Sequence, residues 1–234
     1  MQHIASGTNS EVFLLNNNSS IIIKKYKSKS LLLHELKIFR LTDKTRHIIK
    51  PIDYDLKNLI VKFPRLTPLN YLDFRLLDPN MRYQIIQSIM LGIKELHALR
   101  IIHNDLKIDN ILYNPIDLSV KIIDFSSSFI IDEYRKINCL QKKILLNSTS
   151  PLHHNKNISI IQKTSELMKI DLYACSITIL QLFGLTDQEL FKIKNKPIHQ
   201  SKIQFKKIIQ KLKFQFPQNK KILEFCQKQI FNQI

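Results

Sequence analysis

The sequence predicts an α+β fold in which a small strand-rich N-terminal part precedes a larger, mainly helical part. Three observations support this prediction. Short apolar runs of strand length dominate residues 4–66. An apolar stripe with helical spacing runs from Pro79 to Leu99, and a mostly apolar segment of helical length covers residues 170–185. With 234 residues, the chain is long enough to bury a substantial core in one large domain or in two lobes.

Strand patterns begin close to the N-terminus. Residues 4–15 alternate and then become apolar, as in two strands joined by a turn, and residues 21–24 form the next strand. The segment 31–43 is predicted to be a helix, because its apolar residues recur at helical spacing, with Glu35 near its centre. Residues 47–66 contain two further apolar strands and a connector.

The helical part begins at Pro79, a residue suited to the first turn of a helix. Residues 170–185 are apolar around most of the helix circumference, which is typical of a buried helix. Two more helices are predicted near residues 201–214 and 218–231.

The chain is strongly basic, with a formal net charge of +17. Eleven lysines and three acidic residues lie between Leu185 and Ile234. Such a charge favours acidic proteins, nucleic acid or anionic surfaces as partners. Because no known nucleic-acid-binding motif and no groove of interleaved aromatic residues accompanies the lysines, a solvated basic surface is favoured over a dedicated nucleic-acid site.

The three cysteines, Cys139, Cys175 and Cys226, are widely spaced and form no Cys-x-x-Cys pair. This pattern favours reduced thiols over a disulfide framework or a zinc site. The first residues contain no apolar run of signal-peptide length, and no segment has the pattern of a membrane span. We therefore expect a monomeric cytoplasmic or nuclear protein that neither is secreted nor spans a membrane.

Polar side chains concentrate in the stretch from Ile101 to Ser126. Asp105, Lys107 and Asn110 lie within six positions of one another, and Asp124 directly follows an apolar strand. Two strands flanking a loop would bring these groups together. The stretch therefore predicts a site that handles phosphate.

The residue types suit phosphoryl transfer, which requires alignment of the nucleophile, neutralisation of the moving charge and a bound divalent metal. The carboxylate of Asp105 can accept the proton of an attacking hydroxyl. The ammonium of Lys107 is a point charge suited to the transferred phosphate. Asn110 and Asp124 offer hard oxygen ligands for Mg²⁺, which takes few protein groups.

The run His-Asn-Asp-Leu-Lys-Ile-Asp-Asn at residues 103–110, followed by Asp-Phe-Ser at 124–126, resembles the catalytic loop and metal-binding turn of eukaryotic-type protein kinases. The resemblance implies a two-lobed protein-kinase-like fold in which both lobes are abbreviated. Residues 1–234 would form one kinase domain, with the N-lobe at 1–63 and the C-lobe at 64–234. It also implies ATP and Mg²⁺ as cofactors, with Mn²⁺ as an alternative metal, and Asp171 as an acceptor for backbone N–H groups of the catalytic loop.

The resemblance assigns further residues to the nucleotide. Lys24, chosen over its neighbour Lys25, would bind the α- and β-phosphates and pair with Glu35. Gly7 and Val12 belong to the segment that covers the phosphates. Val61, Phe63 and Leu112 are assigned to nucleotide binding, with Val61 as the gatekeeper and residues 62–64 as the hinge.

Several positions depart from the family pattern. The phosphate-covering segment retains one glycine of three, and Ile22 replaces a small alanine in the strand that carries Lys24. Asn104 replaces the arginine that often binds an activating phosphate, so activity is expected not to depend on such phosphorylation. Ser126 replaces the glycine of the metal-binding turn. Ser150–Leu152 is interpreted as the end of the activation segment, and His153–His154 as an exposed pair rather than a metal site.

The resemblance implies an ATP-dependent serine/threonine protein kinase that acts on protein hydroxyls, with an acidic substrate favoured by the charge. Lys107 supports serine/threonine over tyrosine specificity. The compact lobes and residue bias resemble kinases of large DNA viruses or intracellular parasites. Three alternatives remain open: a pseudokinase that acts as a binding module, a small-molecule phosphotransferase, and a basic nucleic-acid-binding protein.

Overall fold

A computed structural model describes residues 1–15, 18–137, 141 and 163–232. Cys139, Ser150–Leu152 and His153–His154 lie outside these residues. The N-terminal part is a five-stranded antiparallel sheet with strand order β1-β2-β3-β5-β4. Its strands are β1 (Gln2–Ser6), β2 (Ser10–Leu15), β3 (Asn18–Tyr26), β4 (Asp53–Asp55) and β5 (Ile60–Pro64).

Helix α1 (Lys29–Leu41) follows β3 and contributes to the core beside this sheet. Its N-terminus is capped by Ser28, whose side chain accepts a hydrogen bond from the N–H of Leu31. The buried face of α1 carries apolar residues spaced at helical intervals, among them Leu32, Leu36 and Phe39. Glu35 lies on the same face, so folding of α1 carries one carboxylate into the interior.

The second part of the chain is built around two long helices, α2 (Pro79–Ala98) and α4 (Thr164–Leu182). Asp78 caps α2 by accepting hydrogen bonds from the N–H groups of Asn80 and Met81. Helix α4 has buried residues around most of its circumference, as the sequence predicts for this segment. Shorter helices complete this part: α3 (Ile131–Tyr134), α5 (Asp187–Lys194), α6 (Ile198–Gln215) and α7 (Lys220–Phe231).

Two small sheets hold the polar segments of the second part. One has the order β6-β8-β9 and consists of Thr67–Pro68, Ile111–Tyr113 and Val120–Ile122. The other pairs β7 (Ile101–Ile102) with β10 (Phe129–Ile130). Two polar segments are therefore held side by side. The segment from β7 to β8 begins where the segment from β9 to β10 ends, and it ends where that segment begins.

These observations confirm the predicted α+β class, with a strand-rich first part and a mainly helical second part. The main hydrophobic core runs through both parts, from Tyr26 in β3 to Ile230 in α7. The division between residues 63 and 64 stays a prediction, and strand β5 continues across it by one residue. Within the described ranges, no helix combines the length and the apolar character that a bilayer crossing requires.

Gly92 lies where α2 packs against Ile122 of the small β6-β8-β9 sheet. A Cβ atom at this position would lie 2.7 Å from Cδ1 of Ile122 and 3.0 Å from Cβ of His47. Glycine weakens a helix interior, so its presence here is explained by the lack of space for any side chain.

We predict that Gly92→Val lowers the free energy of unfolding by about 1–3 kcal/mol, because the added isopropyl group must push buried neighbours aside. Chemical denaturation monitored by circular dichroism measures this change. Gln84→Val is the matched control, since it places the same β-branched residue on the exposed face of α2. Gln84→Val should change the free energy of unfolding by less than about 0.5 kcal/mol. A Gly92→Val variant as stable as wild type would contradict the close packing, because valine has a higher helix propensity than glycine and only the added volume can destabilise it.

Candidate active site

A cleft of about 450 Å³ lies between the five-stranded sheet, helix α1 and the segments 107–112 and 123–124. Its volume is in the range of small-molecule sites. Strands β1, β2, β3 and β5 supply one wall, and the polar segments of the second part supply the other. The lining residues are Ala5, Ser6, Gly7, Ser10, Val12, Ile22, Lys24, Glu35, Phe39, Ile49, Phe63, Lys107, Asp109, Asn110, Leu112, Ile123 and Asp124.

A cluster of charged side chains in the cleft is centred on Lys24 of β3. Its Nζ lies 2.7 Å from Oε1 of Glu35 and 3.0 Å from Oδ1 of Asp124. Glu35 is 1% exposed and accepts a second hydrogen bond, of 2.9 Å, from the hydroxyl of Tyr26. Lys25, which lies on the opposite face of the strand, is exposed. Strand β3, the helix that follows it and a turn 100 positions further along the chain therefore meet at one ammonium group.

These contacts control the charges of the cluster. Burial alone would lower the pKa of Lys24, but the negative charges of Glu35 and Asp124 outweigh burial and hold this pKa above its ordinary value. Burial opposes ionisation of Asp124, yet the charge and hydrogen bond of Lys24 lower the pKa of Asp124 to about 2. Lys24 is thus protonated and Asp124 ionised at neutral pH.

Asp105 lies beside the cleft, in the segment that follows β7. Its Oδ2 accepts hydrogen bonds from Nζ of Lys107, at 2.8 Å, and from Nδ2 of Asn110, at 3.2 Å. Nδ2 of Asn110 also donates to the backbone oxygen of Asp105, at 2.8 Å. The loop thereby holds a carboxylate, an ammonium and an amide in fixed relative positions.

Asp171 of α4, which is 0% exposed, anchors the segment that follows β7. Its carboxylate accepts the backbone N–H groups of His103 and Asn104, both at 2.9 Å, and lies 3.0 Å from Nε2 of His97. Burial by itself would raise the pKa of Asp171, but these donors hold it below its ordinary value. The predicted acceptor role of Asp171 is confirmed.

Aromatic rings connect α1 to the turn that carries Asp124. Phe125 packs edge-on against Phe39 of α1 and contacts the ring of His103, with centroid distances of 5.8 and 5.1 Å. Phe39 in turn packs edge-on against Phe63 of β5, at 5.5 Å. Nε2 of His103 also lies 3.0 Å from the backbone oxygen of Ile123. Apolar contacts and hydrogen bonds therefore position the same turn.

The donor set of the cleft fits a hard divalent cation. Asn110 and Asp124 line the same cavity, and the N–H of Ile123 donates to the backbone oxygen of Asn110 at 3.0 Å. Since Nδ2 of Asn110 faces Asp105, its amide oxygen is the atom directed away from that carboxylate. One carboxylate and one amide oxygen suit Mg²⁺, which keeps several waters. In the described part of the chain, no cluster of three His, Cys, Asp or Glu side chains forms a separate metal site.

The structure brings most of the predicted site residues to one cavity. Lys24, Glu35, Gly7, Val12, Phe63, Leu112, Lys107, Asn110 and Asp124 line it, and Asp105 is hydrogen-bonded to two of them. Val61 pairs with Lys24 across the sheet but is 0% exposed and belongs to the hydrophobic core. Lys62, predicted for the hinge, lies within β5 and pairs with Asp53 at 2.8 Å.

Sequence reasoning missed Tyr26, His97 and Asp109. Tyr26 holds Glu35, His97 contacts Asp171, and Asp109 lines the cleft beside Asn110. Strand alternation could have found Tyr26, because it lies two residues after Lys24 and so shares its face. No comparable signal identifies His97, whose partner lies 74 positions away.

We predict that Lys24→Met lowers the free energy of unfolding by about 3 kcal/mol near neutral pH, because two carboxylates lose their buried cation. The pKa of Asp124 is lowered in the folded protein, so its stabilising contribution is present above its ordinary pKa and is lost as pH falls towards about 2. The stability difference between wild type and Lys24→Met should therefore shrink between about pH 4 and pH 2. Denaturation midpoints of both proteins across this pH range measure the stability difference.

Lys25→Met is the matched control, because it removes a neighbouring lysine from the exposed face of β3. It should leave the pH dependence unchanged. A difference between wild type and Lys24→Met that stays constant from pH 6 to pH 2 would contradict the assigned charge cluster.

With this geometry established, comparisons with known proteins define the family. The protein kinase domain family model matches residues 1–233. A probable myosin light chain kinase of Dictyostelium discoideum is 30% identical over 154 residues, which are 59% of this chain and 49% of that protein. A putative serine/threonine-protein kinase of Acanthamoeba polyphaga mimivirus is 30% identical over 110 residues, which are 46% of this chain and 20% of that protein.

A protein kinase domain-containing protein of Schizosaccharomyces pombe is 34% identical over 96 residues, which are 41% of this chain and 16% of that protein. The aligned parts thus cover about half or less of the length of each of these relatives. The family model, in contrast, covers nearly the whole chain. The chain therefore belongs to the eukaryotic-type protein kinase superfamily.

Proposed function

We propose that this chain is an ATP-dependent serine/threonine protein kinase that transfers the γ-phosphoryl group of ATP to protein hydroxyls. One observation carries the proposal: Lys24 contacts both Glu35 and Asp124 in the cleft that also holds Lys107 and Asn110. Lys24 and Asp124 are 100 positions apart. Ion pairs that only stabilise the fold would not require ammonium groups and oxygen ligands suited to a metal in the same cavity.

In this proposal, Asp105 accepts the proton of the attacking hydroxyl. Lys107, 2.8 Å from Asp105, is the cation nearest to that carboxylate and stabilises charge on the transferred group. Lys24 binds the α- and β-phosphates, and Glu35 and Tyr26 orient it. Gly7, Val12, Phe63 and Leu112 contact the nucleotide from the two walls of the cleft.

Asn110 and Asp124 would hold Mg²⁺, with Mn²⁺ as an alternative. When bound, the ion neutralises phosphate charge and helps to orient the phosphoryl group. Asp124 suits this role because its lowered pKa keeps it ionised throughout the neutral range. Asn110 links the metal ligands to Asp105 through its Nδ2 hydrogen bonds.

We extend the proposal to domain organisation and setting. Residues 1–234 form one kinase domain with lobes at 1–63 and 64–234, and the cleft takes a wall from each. Cys175 and Cys226 are buried free thiols, and burial raises the pKa of Cys226 to about 12. Unreactive thiols of this kind support a cytoplasmic or nuclear setting. We further propose a monomer.

We predict that the purified chain transfers phosphate from labelled ATP to casein or a basic protein in the presence of Mg²⁺. Asp105→Asn should lower kcat by about 100-fold or more, because it removes the proton acceptor but keeps the shape of the side chain. Filter-binding assays with the protein acceptor measure the rate. Asp43→Asn, which removes an exposed carboxylate after α1, is the control and should keep wild-type activity.

Each alternative function gives a different result in this assay. Nucleotide binding without transfer in the wild type would indicate a pseudokinase. Labelled metabolites alongside unlabelled proteins would indicate a small-molecule phosphotransferase. Salt-sensitive retention on DNA without transfer would indicate a nucleic-acid-binding protein. A rate that Asp105→Asn leaves unchanged would contradict the assigned proton acceptor.

The basic helix α6 supports an acidic protein substrate. Its sequence contains five lysines and no acidic residue, and Lys206, Lys207 and Lys211 are exposed. Charges at the rim of an interface act mainly on the rate of association. An acidic protein substrate would therefore be attracted to this helix as it approaches the chain.

We predict that the double variant Lys206→Glu and Lys207→Glu raises KM for a serine peptide with acidic flanks by about 3- to 10-fold at low salt. KM for a neutral peptide should stay unchanged. The control is Lys44→Glu with Lys57→Glu, which alters the net charge equally at exposed positions outside α6. If both double variants raise KM equally, overall charge rather than α6 attracts the peptide.

A further inference from the structure

Two polar segments must keep a fixed relationship for the proposed function. The segment after β7 carries Asp105 and Asn110, and the segment after β9 carries Asp124. On the N-terminal side of Asp124 they are joined through Ile123, whose N–H and C=O contact Asn110 and His103, both at 3.0 Å. These contacts fix the N-terminal end of the turn that carries Asp124, but not its C-terminal end.

Asn104 contacts the C-terminal end of this turn. Its Nδ2 donates a 3.0 Å hydrogen bond to the backbone oxygen of Ser127, three residues after Asp124. The turn itself is closed by Ser128, whose N–H and hydroxyl both donate to the backbone oxygen of Phe125, at 3.1 and 2.6 Å. Asn104 therefore contacts a turn that its own hydrogen bonds already close.

Asn104 is itself tightly constrained. It is 2% exposed, and its N–H donates to Oδ1 of Asp171 at 2.9 Å. Its φ of 64° lies in the left-handed region, which asparagine tolerates better than most residues. Asp124 adopts a similar φ of 63°. Two residues in this uncommon conformation thus lie at the start of one segment and in the turn of the other.

We propose that Asn104 is a positioning residue that fixes the Asp124 turn relative to Asp105 and thereby sets the affinity of the cleft for its divalent cation. The hydrogen bond to Ser127 transmits the anchoring of Asp171 to the turn. The inference rests on the proposed function for the identity of the cation. The contact itself does not depend on that function.

Two substitutions separate the amide from the backbone conformation. Asn104→Gly keeps the left-handed conformation without strain and removes the donor. Asn104→Asp keeps the size of the side chain and replaces the donor by carboxylate oxygens that face the oxygen of Ser127. Asn58→Gly is the control, because it deletes an amide that donates to Asp55 at 2.7 Å in the β4–β5 turn, outside the cleft.

Affinity for a non-hydrolysable ATP analogue is measured against Mg²⁺ concentration, and again with EDTA. Both Asn104 variants should need about 10-fold more Mg²⁺ for half-maximal binding, as expected when a residue that orients a metal ligand is lost. Asn104→Asp should raise the required Mg²⁺ concentration more than Asn104→Gly, because its carboxylate oxygens repel the backbone oxygen of Ser127. Binding with EDTA, and all values for Asn58→Gly, should match wild type.

Amide hydrogen exchange gives a second measurement that needs no nucleotide. Amides of residues 125–128 should exchange faster in both Asn104 variants, while those of the five-stranded sheet should not change. Wild-type metal dependence together with wild-type exchange in both variants would overturn the proposal. If the wild type itself binds no nucleotide, the proposed function fails, and the exchange rates alone then support or overturn the role of Asn104.

Discussion

The ion pair between Lys24 and Glu35, with Asp124 as the second carboxylate, is the constraint on which the site depends. A buried charge is stable only when its partners are held close by the surrounding structure. Here the partners come from β3, from α1 and from the turn after β9, so all three elements must be in place before the charges balance. The cluster thus couples the packing of α1 to the position of Asp124.

A second buried carboxylate performs a similar task below the cleft. Asp171 enters the interior on α4, and its charge is compensated by the ring of His97 and by two backbone N–H groups rather than by a lysine. The backbone donors belong to His103 and Asn104, so Asp171 fixes the start of the segment that carries Asp105.

Much of this arrangement could be predicted because the relevant signals are local. Strand alternation puts Lys24 and Lys25 on opposite faces, and the family resemblance selects Lys24 and assigns Glu35 as its partner. Burial along one face of a strand is not a local property. The resemblance assigns both Val61 and Phe63 to the nucleotide, and both lie on the same face of β5, yet Val61 is 0% exposed in the core whereas Phe63 lines the cavity. Contacts such as His97 with Asp171 depend on the packing of helices far apart in sequence.

The charge balance of the cleft differs from that of the whole chain. The chain carries +17, yet Glu35, Asp109 and Asp124 line the cleft together with two lysines, and the carboxylate of Asp105 lies beside Lys107. Lys24 is already engaged with two of these carboxylates. A polyphosphate that entered alone would add negative charge to a site with more carboxylates than ammonium groups, at a cost that burial increases. The charge of the cleft therefore supports the proposed divalent cation independently of the family resemblance.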